Sequence, residues 1–230
     1  MSIDLSSSGT VPPREREVEV PPLGLAGTLM LPTAPRGAVF FAHGSGSSRF
    51  SPRNRRVAAA LQGRGLATLL FDLLLPEEEG DRAKVFDIAL LAERLVAAVR
   101  WAANEPDLAG VRIGLFGAST GAAAALVAAA RLGDRISAVV SRGGRPDLAG
   151  ASLDRVVAPT LLIVGGEDGV VVDLNAEAFA RLGCVKSLEI VPGATHLFPE
   201  PGALETVIDL ASDWFERHLA GAHEARGAEP

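Results

Sequence analysis

Gly117-Ala118-Ser119-Thr120-Gly121 lies between an apolar, β-like run at residues 111–116 and an alanine-rich, helix-forming run at 122–132. The flanks matter more than the five residues themselves. A serine on a sharp turn from strand to helix is pushed out above the sheet edge, and the crowding of that turn demands very small side chains two positions before and two after it. Gly117 and Gly121 meet the demand. The stretch therefore predicts a nucleophile elbow with Ser119 at its tip.

Working outward from the elbow, short apolar or β-branched runs occur at 18–20, 26–31, 38–42, 67–71, 112–116, 136–140, 160–164 and 187–191. Helix-period segments separate most of them, at 54–62, 82–103, 120–132, 173–182 and 204–219. From residue 38 onward, strand, helix and strand alternate, which requires crossover connections. The fold class is then α/β: a mostly parallel, twisted, eight-stranded sheet with helices on both faces. The first two runs are joined by a short Pro/Gly connection and predict an antiparallel hairpin at one edge. Gly63 with Gly65, Gly133 and Gly183 stand where three of the helices should stop.

A chain of 230 residues with 48% hydrophobic content, and no linker-like stretch, reads as a single domain over 14–220. Residues 1–13 are polar and proline-containing, and 221–230 are small, charged and aperiodic, so both read as flexible tails. The net charge of −6 and a pI near 5.3 argue against nucleic acid or an anionic membrane as partner. The first twenty residues carry Asp4, Arg14, Glu15, Arg16 and Glu17 without an apolar core, and no apolar stretch is long enough to span a bilayer, so a cytoplasmic location is expected. Cys184 is the only cysteine, which excludes an internal disulfide framework and a cysteine-rich metal site; it reads as a packing residue. Monomer and homodimer are both compatible with the sequence.

A serine hydroxyl is a poor nucleophile at neutral pH, so Ser119 needs an imidazole to take its proton, a carboxylate to orient the imidazole, and donors for the developing oxyanion. Four histidines are available. His223 falls in the C-terminal tail, His218 near the end of the last helix, and His43 at the start of a glycine-rich loop. His196, in Gly193-Ala194-Thr195-His196, follows the strand at 187–191 and emerges at the same sheet edge as Ser119. It is the candidate base. The acid should come from the loop after the strand at 160–164, where Gly165 and Gly166 precede Glu167 and Asp168. Asp168 is preferred, with Glu167, Asp173 and Asp147 as rivals. One oxyanion donor is the backbone N–H of Thr120 at the start of a helix. The other is expected from His43-Gly44-Ser45-Gly46, with the Ser45 N–H placed by the two glycines; this loop lacks the spacing and the lysine of a P-loop.

These four motifs, in this order, resemble those of the α/β-hydrolases, and within them the small, uncapped dienelactone-hydrolase-like proteins. The resemblance runs from about residue 18 to 219 and implies an ester or lactone hydrolase with a Ser119, His196, Asp168 triad, an acyl-enzyme intermediate, no metal and no organic cofactor. One departure is visible: dienelactone hydrolase itself uses a cysteine at the elbow, which favours ordinary ester chemistry for Ser119. The same triad also serves acyltransferases, thioesterases and perhydrolases. A non-catalytic ligand-binding or regulatory protein on this fold is the rival from another class.

For the substrate, a small molecule is expected. About twenty residues separate the strands at 136–140 and 160–164, too few for a large helical lid, so the site should be open. Arg49 and Arg53 follow the oxyanion loop, and Arg142 and Arg145 follow the strand at 136–140. All four are candidates for binding an anionic group on the substrate, against the alternative that they pair with carboxylates such as the Glu77 to Glu79 run.

Overall fold

In the computed structural model of the chain, which describes residues 14–219, all eight expected strands form and join one sheet. The elements, in chain order, are β1 (Arg14–Val20), β2 (Leu25–Leu31), β3 (Ala38–Ala42), α1 (Pro52–Gly63), β4 (Ala67–Phe71), α2 (Arg82–Val85), α3 (Ile88–Ala102), β5 (Ile113–Ala118), α4 (Thr120–Leu132), β6 (Ile136–Arg142), β7 (Thr160–Gly165), α5 (Gly169–Arg181), β8 (Lys186–Val191) and α6 (Ala203–Leu219). The segments read as tails, and His223 with them, lie outside the described residues.

The sheet order is β1-β2-β4-β3-β5-β6-β7-β8. β1 pairs antiparallel with β2, and β2 antiparallel with β4; every later pairing is parallel. Alternation of side chains shows why. In β3, Ala38, Phe40 and Ala42 pack into one apolar cluster while Val39 and Phe41 pack into a second on the other face. A strand that must be apolar on both faces is covered by helices on both. α3, α4 and α5 lie over the first cluster, and α1 and α6, with Trp214 and Phe215, over the second. β1 is different: only Val20 is buried, and its charged residues keep this edge from pairing further.

Three stretches depart from the sequence reading. The helix expected over 82–103 is two helices, because Asp87 accepts a hydrogen bond from the Leu90 N–H (2.9 Å) and restarts the helix there. Apolar periodicity runs through such a cap without a break. Residues Pro146–Arg155, for which no element was expected, form 3₁₀ turns interrupted at Gly150, whose φ is 54°. α5 also begins at Gly169, a turn earlier than residue 173.

The topology decides where a site can sit. From β3 the chain crosses through α1 to β4 on one side, then returns through α3 to β5 on the other, so the loops after β3 and β5 diverge at neighbouring strand ends. A crevice at the carboxyl edge of the sheet follows from that reversal. Its floor is very tight. A Cβ on Gly121, in the first turn of α4, would lie 2.2 Å from the Ala42 carbonyl oxygen and 2.5 Å from that of His43. Since both neighbours are backbone, they cannot move aside. Gly121→Ala is expected to lower the unfolding free energy by about 3 kcal/mol or more, whereas Gly183→Ala, where a Cβ meets nothing within 4 Å, should stay within about 0.5 kcal/mol of the parent. Urea denaturation of the three proteins measures this.

Candidate active site

Ser119 sits between β5 and α4 with φ 52° and ψ −123°, a conformation that a non-glycine residue keeps only when its surroundings impose it. They do so from three sides. The Ser119 N–H donates to the Arg142 carbonyl at 3.2 Å, and the Ser119 carbonyl accepts from the N–H groups of Ala122 and Arg145, both at 3.1 Å. A Cβ on Gly117 would come within 2.4 Å of the Ala122 Cα, so a bulkier residue there would push the helix off the strand. Gly44 faces the serine itself: a Cβ on it would lie 3.0 Å from the Ser119 Cβ.

Asp168 follows β7 at the N-terminus of α5 yet makes no side-chain cap to the helix. Its Oδ2 instead lies 2.6 Å from His196 Nδ1. A carboxylate there places the ring proton on Nδ1 and leaves the Nε2 lone pair free. The loop carrying His196 is fixed by backbone contact with β7, where a Cβ on Gly165 would meet the Ala194 oxygen at 2.4 Å. It is fixed again by Phe198, which is buried in the second core cluster with a φ of 56°. Ser119 and His196 wall one open cavity of ≈ 550 Å³. The rival acids lie elsewhere: Glu167 and Asp173 are exposed, and Asp147 holds Arg145 through two bonds of 2.9 and 2.8 Å.

The loop after β3 approaches the same point. The Ser45 N–H donates to Thr120 Oγ1 at 3.0 Å, while the Thr120 N–H, at the first position of α4, has no acceptor within the helix. His43 turns out to anchor the loop. It is buried, its Nε2 accepts from the Leu73 N–H at 3.1 Å, and its Nδ1 is 3.0 Å from the Gly44 oxygen. With Nε2 an acceptor, the ring is neutral and protonated on Nδ1. Burial holds its pKa below the ordinary 6.5, in agreement.

The four arginines separate into two pairs. Arg49 is bound to Asp72 through its guanidinium and, at 2.7 Å, through its backbone N–H, and lies 4.2 Å over the Phe50 ring. Arg145 is bound to Asp147. Neither pairs with the Glu77 to Glu79 run, where Glu78 takes Lys84 and Arg94. Arg53 and Arg142, by contrast, line the cavity of Ser119 and His196. Asn54, which in the sequence is only the start of a helical pattern, accepts from Arg142 Nη2 at 3.2 Å and fixes that side chain. Nothing in the sequence marks this role, because it depends on α1 facing the end of β6.

The family model for the dienelactone hydrolase family matches residues 54–219. The chain belongs to the dienelactone hydrolase family. A dienelactone hydrolase from Anabaena variabilis superposes with a TM-score of 0.87 at 54% identity, covering 90% of this chain and 99% of that one. Est1E from Butyrivibrio proteoclasticus, at 17% identity and a TM-score of 0.75 over 90% of this chain and 99% of its own, shares the α/β-hydrolase fold. A Mycobacterium tuberculosis protein named "Putative phosphoribosyl transferase" is 60% identical over 219 residues, 94% of this chain but 49% of the relative. The chain thus spans about half the length of that relative. Among the described residues, no helix is long and apolar enough to cross a membrane.

The neutral, buried His43 makes this family member's stability depend on pH in one direction. Its folded-state pKa lies below that of the unfolded chain, so the unfolded state takes up the proton first as pH falls. The contribution is fully present above about pH 6.5 and is lost as the pH drops towards the folded-state pKa. The urea midpoint should fall between about pH 7.5 and 5.5, and fall less in His43→Gln. His218, whose pKa is also lowered by burial, adds a slope of the same sign to both proteins.

Proposed function

We propose that the protein is a serine hydrolase that cleaves a carboxylic ester or lactone of a small molecule through an acyl-enzyme. The observation that carries this is the 2.6 Å contact between Asp168 and His196 at the wall of the cavity into which the strained Ser119 projects. Nδ1 of His196 is held by the carboxylate, so Nε2 is the nitrogen that takes the proton of Ser119 Oγ as that oxygen attacks the carbonyl carbon. The negative charge moves to the carbonyl oxygen, opposite the N–H groups of Thr120 and Ser45. The Ser45 N–H rests on the Thr120 hydroxyl until that oxygen displaces it. Collapse of the intermediate breaks the bond to the alcohol, which leaves with the proton from Nε2. Water, deprotonated by the same nitrogen, then attacks the acyl group and frees Ser119. In a lactone the alcohol stays attached and the product is a hydroxy acid.

Membership of the dienelactone hydrolase family, and the name carried by the Anabaena variabilis protein, support hydrolysis at this site. The transferase name belongs to a relative twice as long, and we assign the ester chemistry to the half that this chain shares with it.

The test is labelling by a fluorophosphonate probe together with turnover of short 4-nitrophenyl esters. Ser119→Ala should lose both, and Asp168→Asn should keep its fold but lose about two to four orders of magnitude in kcat. A parent protein that neither labels nor turns over any of the esters would overturn the reading.

A further inference from the structure

The cavity beside Ser119 holds two positive charges and no negative one. Arg142, the last residue of β6, is only 5% exposed, and its Nε has no hydrogen-bond partner. Among the described residues, the one polar contact of its guanidinium is the side-chain oxygen of Asn54, a neutral group. Arg53 lines the same cavity, and its Nε is likewise buried without a partner. Among the described residues lining this cavity none is acidic, and neither arginine has an ion pair, in a chain whose net charge is −6. Burying a guanidinium without a counter-charge costs several kcal/mol, and proteins nearly always pair such a group. Burial and the charge of Arg53 lower the Arg142 pKa to about 10, so it still carries its proton at neutral pH.

Other donors converge on the same place. Arg53 belongs to the first turn of α1, whose N-cap is Ser51, and the positive end of this helix dipole faces the cavity wall. The hydroxyl-bearing residues Ser45, Ser47 and Ser48 line the wall beside it. Two positive charges, a helix N-terminus and hydroxyl groups match a tetrahedral dianion better than a single carboxylate, since a phosphoryl group carries about −1.5 to −2 charges near pH 7 and three acceptor oxygens. Phe50 and Leu197, both exposed at the same rim, give the organic part of such a substrate an apolar surface.

We propose that Arg142 and Arg53, with the N-terminal turn of α1, form a phosphoryl-binding subsite that holds a phosphorylated or phosphonate-bearing ester against Ser119. The role in esterolysis rests on the reading of Ser119 given above; the anion site itself does not. Arg49 and Arg145 take no part, each being held by its own aspartate.

Calorimetry with inorganic phosphate at constant ionic strength tests the subsite without any turnover. Saturable binding is expected in the parent, weaker by about 10- to 100-fold in Arg142→Met and in Arg53→Met, and partly restored in Arg142→Lys. Should Arg142→Met fail to fold, Arg53→Met and the parent still decide the matter, Arg53 being half-exposed. Absence of saturable phosphate binding, or binding that survives the loss of either arginine, overturns the subsite. A kinetic arm compares kcat/KM for 4-nitrophenyl esters whose acyl chain ends in a phosphonate, a carboxylate or a methyl group. The phosphonate ester should be preferred about tenfold or more over the methyl-terminated ester, and that ratio should fall to about one in both methionine variants. Preference for the carboxylate over the phosphonate would overturn the phosphoryl assignment. Phosphate binding with no esterolysis would sink the hydrolase reading alone, and esterolysis without phosphate binding would sink the subsite alone.

Discussion

The site depends on one close approach: the first turn of α4 lies so near the end of β3 that Gly121 touches the carbonyl oxygens of Ala42 and His43. Only a residue without a Cβ allows it. The approach brings the helix N-terminus, the turn bearing Ser119 and the loop bearing Ser45 together, so that the Ser45 N–H reaches Thr120 Oγ1 at 3.0 Å. It also explains why the backbone of Ser119 is strained. The pairings of β5 end at Ala42 with Gly117 and at Ala118 with Arg142, and α4 begins at Thr120, so the chain turns from strand to helix at the single residue Ser119. The strain is held by hydrogen bonds from the Ser119 backbone to Arg142, Ala122 and Arg145. A conformation costing about 1 to 3 kcal/mol is thus fixed by several independent contacts, which is the condition under which such geometry persists.

Much of this was legible in the sequence because it rests on local chemistry. β3, β4 and α4 have the bounds that apolar periodicity gives them, and the glycines around Ser119 and before Asp168 stand where the backbone has no room. The choice of Asp168 over Glu167 followed from the tight turn after β7, and the structure brings its carboxylate, not that of Glu167, to His196. What was hidden depends on elements distant in the chain. His43 meets Leu73 across thirty residues, and Asn54 meets Arg142 across eighty-eight, through contacts that leave no periodic trace. The division of the arginines was hidden for the same reason. Arg49 and Arg142 look equally free in the sequence, and only the folding of Asp72 beneath the first separates them.

The two histidines of the sheet edge illustrate how environment sets the state of one residue type. His43 is buried, its Nε2 receives a backbone N–H, and its pKa is depressed; a ring in that state has no lone pair to offer a reactant. His196 has its Nδ1 committed to a carboxylate and stays partly exposed, with the other nitrogen directed away from that bond. The sequence places both at strand ends in loops beside glycine. Burial depth and the identity of the partner distinguish them, and both are tertiary quantities.

Electrostatics sharpen the contrast between scaffold and cavity. Acidic residues outnumber basic ones over the chain, and many of the described arginines pair with neighbouring carboxylates, as on β1, where Arg14 and Arg16 meet Asp107 and Glu105. Against that background, an unpaired and buried Arg142 is a destabilising feature that the fold retains. Its position is costly twice over, through desolvation and through the like charge of Arg53. The cost would fall if the side chain turned outward or if the nearby asparagine were an aspartate, yet Asn54 is neutral and holds the guanidinium in place. A charged guanidinium bonded to a neutral side chain, beside the turn that bears Ser119, leaves a place for a counter-charge from outside the chain, which is what the proposed subsite supplies. In the acyl-enzyme scheme that counter-charge is part of the substrate, and its binding would relieve the repulsion between the two arginines as it positions the ester. Binding free energy from a remote group then contributes to orientation at Ser119, where an open cavity alone offers little restraint.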